Sequence, residues 1–354
     1  MGTGSRKPRK FLPLAVVVSV IVVVVGISIA GCAVARIIDQ ATVTARGVAS
    51  KNEVDQKAND GYDVREARAK WNQALEAYNQ GDYNTADRFI DETNQALKNI
   101  RKVAERIYYQ SSGGLTVSGL LFRPSSGQPP WPLIVVNHSG FGTAGDFSEV
   151  ALGIMDHGYL VFNPDFRGSG KSQGQHELAK GEVDDVINGI EYLKSKGLVE
   201  DGHIGMYGQS HGASVSLLAA ERYPINAVVA ESGFTDAVGL YENAKAHDND
   251  ALVKAGLDQV VPMLGGTPDQ VPQEYAIRSP LKFADDMQAA VLLIHGAQDP
   301  LIPVDQAYEM NDALKNAGET VELKIYPDEG HTVTQPANRL EVWDLMFAWF
   351  QKYV

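Results

Sequence analysis

The apolar positions change their pattern twice along the 354 residues, which divides the chain into three stretches. The first carries an apolar run without a single charge, residues 11–31, rich in valine at 16–18 and 22–25. Wound as a helix, its 21 residues would reach about 31 Å, roughly a bilayer core. In the second stretch Val64, Ala67, Trp71, Leu75 and Tyr78 recur at three- and four-residue steps, behind Asp63 and Glu66 spaced as a capping box. Gly81-Asp82 then stops one helix and caps the next. Tyr83, Ala86, Ile90, Thr93, Leu97, Ile100, Ala104 and Ile107 continue the same steps. The pattern predicts an antiparallel helical hairpin within residues 39–110, with 39–60 as a linker or a frayed continuation of the preceding helix. Its Gly-Asp-Tyr turn looks like one tetratricopeptide-type unit, and a single unit cannot build a solenoid. The hairpin therefore reads as a spacer, with a protein-partner module as the alternative.

In the third stretch, residues 111–354, short apolar runs alternate with amphipathic segments. Residues 115–123, broken by Gly119, predict a β-hairpin, and 133–137, 159–163, 204–207, 227–230, 291–295 and 321–326 predict buried strands. Between and after them, 147–157, 182–196, the segment after Ser210, 305–316 and 338–353 predict helices; Val183, Ile187, Ile190 and Leu193 mark one apolar face. Such alternation implies a mostly parallel sheet covered on both sides, with active-site groups on loops at the carboxyl ends of the strands.

Charge and composition narrow the partners. A net charge of −13 without a basic patch beyond the N-terminus argues against nucleic acid. The eight histidines show no paired metal-ligand spacing and Cys32 is the sole cysteine, so neither a disulfide, a metal nor a cofactor is expected. Arg6, Lys7, Arg9 and Lys10 before the apolar run place the N-terminus in the cytoplasm and the remainder outside. Residues 1–38 thus read as a membrane anchor. Ile29-Ala30-Gly31-Cys32 resembles a lipobox, which makes Cys32 a lipidation candidate, but the length of the run favours a spanning helix. Either way the expected location is the cell membrane, with the folded part extracytoplasmic.

The candidate chemistry centres on Gly208-Gln209-Ser210-His211-Gly212, between a strand and a helix. Glycines on both sides of a serine permit the tight turn that exposes its hydroxyl at the sheet edge. A serine needs an imidazole to take its proton, and the imidazole needs a carboxylate to fix its tautomer. Ala297-Gln298-Asp299-Pro300 directly follows Val291 to Gly296, and Pro327-Asp328-Glu329-Gly330-His331 follows the 321–326 run, so Asp299 and His331 both stand after strand ends. Asp328 and Glu329 are rival acids, poorly placed because they precede His331 in the same loop. An oxyanion hole would take one N–H from His211 and one from Gly140, with Ser139 and Phe141 as fallback donors.

Several longer motifs accompany these residues: Asn163-Pro164-Asp165-Phe166-Arg167-Gly168-Ser169-Gly170, Asp184-Asp185-Val186, Ile204-Gly205-Met206-Tyr207-Gly208-Gln209-Ser210, Ser279-Pro280-Leu281, Leu293-Ile294-His295-Gly296-Ala297-Gln298-Asp299, Ile302-Pro303 and Tyr326-Pro327-Asp328-Glu329-Gly330-His331. In combination, over roughly residues 107–354, they resemble the catalytic domain of the prolyl oligopeptidase family, with dienelactone hydrolase-like enzymes as near neighbours. The resemblance implies an α/β-hydrolase fold, here preceded by a helical hairpin and a membrane helix. It implies Ser210 as nucleophile, Asp299 as acid and His331 as base, with Asp165 and Arg167 structural. Family peptidases often carry an N-terminal β-propeller, and no run of regularly spaced strands precedes residue 111. The chain also has His-Ser-Gly-Phe at 138–141 where His-Gly-Gly is common, and His211 where an aromatic residue is usual. His211 is either a second titrating group or a side chain packed over the site. Residues 235–278 are long enough for a helical cap. The expected activity is hydrolysis of a peptide, amide or small ester through an acyl-enzyme. Acyl transfer and a non-catalytic binding role are the alternatives.

Overall fold

The computed structural model describes residues 31–247 and 251–354. The predicted membrane segment lies outside these residues but for its end, and no described helix is long and apolar enough to cross a membrane. The chain divides into two compact units, one of residues up to Val54 with Val64–Ile100, the other of Asp55–Asp63 with Arg101–Val354.

The first unit is built on α1 (Gly31–Asn59) as far as Val54, α2 (Arg65–Asn79) and α3 (Tyr83–Ala96). Residues 39–60, expected as linker or frayed end, are helical as far as Asn59, so the hairpin is joined by a third helix. Val43 packs with Ala74, Ala77, Ala86 and Ile90. The α1 face is hard to see in sequence because small and polar residues form it: Gly47 accepts from Trp71 Nε1 at 2.9 Å, and Ser50 Oγ donates to Asn94 at 2.6 Å. Asp82 caps α3 by accepting from Thr85 N–H at 3.0 Å, as expected. Val64, rather than Asp63 of the expected capping box, stands at the N-cap of α2. The helix starts one residue later because the Asp63 N–H donates to the Arg101 carbonyl beside a Tyr62–Lys102 bridge.

Helix α3 does not run on to Ile107. Residues 104–110 form a strand, β1 (Ala104–Gln110), antiparallel to β2 (Thr116–Phe122). Ala104, Ile107 and Tyr109 are buried while Glu105, Tyr108 and Gln110 face out, largely a strand's period of two. The hairpin turn is therefore at 111–115, and Gly119 lies inside β2 rather than breaking it. A Cβ there would stand 2.4 Å from the Phe162 ring of the neighbouring strand.

The sheet continues through β3 (Trp131–Asn137), β4 (Leu160–Asp165), β5 (Val199–Gln209), β6 (Ala227–Glu231), β7 (Ala290–Gly296) and β8 (Val321–Tyr326). Its order is β1-β2-β4-β3-β5-β6-β7-β8, antiparallel on both sides of β2 and parallel from β4 to β8. Helices α4 (Ser148–Asp156) and α11 (Pro336–Tyr353) cover one face through residues such as Leu152 and Phe350. Helices α5 (Gly181–Ser195), α6 (His211–Arg222) and α10 (Asp305–Ala317) cover the other through residues such as Ile190, Leu217 and Leu314. The inner strands β3, β4, β6 and β7 and the second half of β5 are thus buried on both sides, which accounts for their apolar runs, whereas the edge strands β1 and β8 are partly exposed. Three further helices fill residues 235–278: α7 (Ala237–Ala246), α8 (Ala251–Leu264) and α9 (Pro272–Ala276).

Candidate active site

Strand β5 ends at Gln209 and α6 begins at His211, so Ser210 makes the whole turn, at φ 54° and ψ −122°. The turn needs its two glycines: a Cβ on Gly208 would lie 2.2 Å from the Gly212 carbonyl oxygen, and one on Gly212 would lie 2.2 Å from that of Asn137. The Ser210 N–H donates to the Glu231 carbonyl at the end of β6 at 2.8 Å, which ties the strained residue to the sheet. Glu231 is itself buried and held by Arg339, Tyr207 and Gln209.

The loops after β7 and β8 bring the two partners to this turn. His331 Nε2 lies 2.9 Å from Ser210 Oγ, and its Nδ1 lies 2.7 Å from Asp299 Oδ2. An ionised carboxylate only accepts, so Nδ1 carries the proton and Nε2 is left to accept from the serine hydroxyl. Asp299 Oδ1 accepts from the N–H groups of Leu301 (2.8 Å) and Ile302 (3.0 Å). Burial opposes ionisation of Asp299, but hydrogen bonds from His295 and His331, the His331 charge and the Ile302 N–H outweigh it and hold the group well below the usual carboxylate range. The rival acids are elsewhere: Glu329 accepts from Thr334, Gln335 and Asn338, and Asp328 is exposed.

Gly140 and His211 line the same cavity as Ser210 and His331. Among the described residues, neither backbone N–H has a protein acceptor, which leaves both available to a substrate oxygen. The loop carrying Gly140 is supported from below by His138. That ring is fully buried, and its Nε2 accepts from the Phe166 N–H at 3.3 Å. Burial pushes the His138 pKa down to about 3, so it stays neutral. Phe141 is exposed and meets His176 edge-on.

The His211 side chain packs. It is buried edge-on to Phe166 at 5.4 Å, and its Nε2 accepts from the Ala179 N–H at 3.0 Å. Burial lowers its pKa, so the neutral ring is the form present near pH 7. Asp165 and Arg167 are structural: Asp165 accepts from Ser118 (2.6 Å) and the Ala144 N–H (2.8 Å), and Arg167 forks onto Asp185. Cys32 stands at the start of α1, in the helical unit.

The cavity above Ser210 measures about 450 Å³. Helices α7 to α9 supply Leu240, Tyr241, Val260 and Tyr275 to its wall, and Phe234 and Leu178 are among its other apolar residues. Among the described residues no carboxylate, lysine or arginine lines it. Leu178 was not visible as a site residue in the sequence. It and Ala179 hold left-handed backbone at φ 53° and 60°, pinned by Glu182, which accepts from the N–H groups of Glu177 and Lys180, and by His211. Non-glycine residues in that conformation were the only local feature, and it is written in the fold rather than the sequence.

Comparison with known proteins agrees with this geometry. The chain is 29% identical over 234 residues to the uncharacterized peptidase YtmA of Bacillus subtilis, covering 64% of this chain and 86% of that one. The fold matches that of a Mycobacterium tuberculosis puromycin-hydrolyzing peptidase with a TM-score of 0.63 at 19% identity, over 71% of this chain and 39% of that one. It also matches a Pyrococcus furiosus esterase, TM-score 0.57 at 20% identity, over 71% of this chain and 91% of the esterase. Other curated relatives are longer, and the chain spans 30% of the dipeptidyl-peptidase 5 of Porphyromonas gingivalis. The family model for the prolyl oligopeptidase family matches residues 146–354. With a serine, histidine and aspartate joined at the carboxyl ends of its strands and more than half its length matched, this chain is a serine hydrolase and belongs to the prolyl oligopeptidase family.

Proposed function

We propose that the protein is a serine peptidase held on the outer face of a membrane by its N-terminus, cleaving an amide bond next to an uncharged, apolar acyl residue. The observation that carries this reading is the continuous hydrogen-bond chain from Ser210 through His331 to Asp299, at the floor of an apolar cavity. Ser210 Oγ attacks the scissile carbonyl carbon as His331 Nε2 takes its proton. The carbonyl oxygen becomes an oxyanion, and the N–H groups of His211 and Gly140 are the donors to it. The C–N bond then breaks, His331 returns the proton to the leaving amine, and the acyl group remains on Ser210. Water repeats the sequence and releases the acid.

The cavity supports the substrate class. Burying a charged group against Leu178, Phe234, Leu240 and Tyr241 without a counter-charge costs several kcal/mol. A blocked or internal acyl residue avoids that cost, whereas a free α-ammonium inside the cavity does not. A second reading, a carboxylesterase, draws on the Pyrococcus esterase, 91% of which this chain covers. Turnover of N-acyl-aminoacyl p-nitroanilides against p-nitrophenyl esters, with Ser210→Ala as control, separates the two: serine-dependent anilide cleavage supports the peptidase, and ester turnover alone the esterase.

The tether rests on the basic residues before the uncharged run of residues 11–31. Membrane fractionation with and without globomycin, alongside Cys32→Ala, tests its form. A spanning helix stays in the membrane under both treatments, whereas a lipidated Cys32 changes processing under both.

A further inference from the structure

His295 lies on β7 between β6 and β8, is 1% exposed, and takes no part in the steps above. Its Nε2 is 3.0 Å from the Ile302 carbonyl oxygen and 3.2 Å from Asp299 Oδ2. A carbonyl oxygen only accepts, so Nε2 carries its proton, and that proton is shared between the two oxygens. Asp299 is therefore met from four directions: Leu301 and Ile302 N–H groups on Oδ1, His295 and His331 on Oδ2. Ile302 is held at both its N–H and its carbonyl, which closes residues 299–302 onto the His295 ring. Asp299 itself sits on a loop, where side-chain aim is least well defined, whereas His295 sits near the end of a strand that has a neighbour on both sides and is paired with Ile325 of β8.

We propose that His295 is a positioning residue for the reaction, fixing the Asp299 carboxylate from the rigid strand and through it the tautomer and aim of His331. This rests on the reading of Ser210, His331 and Asp299 as the catalytic chain. The neighbouring ionisable groups have other duties: Glu329 caps Thr334 and Gln335, Glu231 pairs with Arg339, and Asp328 is exposed. His295 is thus the one titratable group besides His331 within hydrogen-bond reach of Asp299 among the described residues.

The test compares His295→Gln, whose amide nitrogen reaches the place of Nε2, with His295→Asn, whose side chain is too short. Rates are taken on a p-nitrophenyl ester of an apolar acid and expressed per Ser210 titrated with a fluorophosphonate, so a partly unfolded preparation does not count. His295→Asn is expected to lower kcat roughly 10- to 100-fold with KM changed less than about twofold. With the donor gone, the Asp299 charge is concentrated on His331 and favours its imidazolium, so the acid limb of kcat/KM moves to higher pH. His295→Gln is expected to recover most of the rate and leave the limb in place. An unchanged kcat per titrated site in His295→Asn overturns the proposal, as does an equal loss in both variants with no shift of the limb. Activity retained in Ser210→Ala overturns the catalytic chain itself, and the positioning role with it.

Discussion

Ser210 holds a backbone conformation that costs a non-glycine residue about 1–3 kcal/mol. Its N–H on Glu231 and the clearances at Gly208 and Gly212 show how the surrounding sheet holds it there. This much was legible in the sequence, because Ser210, Asp299 and His331 each come within five residues of the end of a strand-like run, and the strands β5, β7 and β8 end at the site. His295 and Leu178 were not. Their roles depend on Ile302, Asp299 and Ala179 being folded against them, and no spacing rule records that. Asp299→Asn is expected to reverse the His331 tautomer and lower kcat by on the order of 10⁴, measured per titrated serine. The same variant changes the response to acid. Folded Asp299 binds its proton less readily than the unfolded chain does. Its ionisation therefore favours the folded state above the ordinary carboxylate range near pH 4, and that contribution is lost as pH falls toward the depressed folded pKa. Thermal melts from pH 5 down to pH 2.5 should show a smaller fall in Tm for Asp299→Asn than for the natural chain.

Among the elements, those built from large apolar residues at one period were readable and those of mixed signal were not. The parallel strands and their covering helices fall within a few residues of where the pattern puts them. Strand β1 was absorbed into a helix because Ala104 and Ile107 continue the three- and four-residue steps, although Tyr108 and Tyr109 favour a strand. Pairing with β2 decides the matter, since β1 has the sheet to bury against. Ile107→Ala is accordingly expected to cost about 2–4 kcal/mol in chemical denaturation, as for a buried core residue. The cap was foreseen only as a length of chain; its wall residues emerge from packing. Leu240→Asp places an unpaired carboxylate in that wall and should reduce kcat/KM for apolar acyl substrates at least tenfold. Fluorophosphonate labelling of Ser210 should persist in that variant, which separates a specificity defect from a lost site.

Over the whole molecule, a hydrolase unit of residues 55–63 and 101–354 carries the site, and a helical unit precedes most of it in sequence. The family assignment covers residues 146–354, so β1, β2, β3 and the Gly140 loop lie outside the matched segment but inside the observed sheet or cavity. The central claim is that Ser210 cleaves an amide bond next to an apolar acyl residue. The most direct measurement is cleavage of a blocked dipeptidyl p-nitroanilide with an apolar residue before the scissile bond, using the natural chain and Ser210→Ala side by side. Release of p-nitroaniline by the natural chain, falling at least a thousandfold in Ser210→Ala, is the expected result. Equal rates from the two proteins would contradict it.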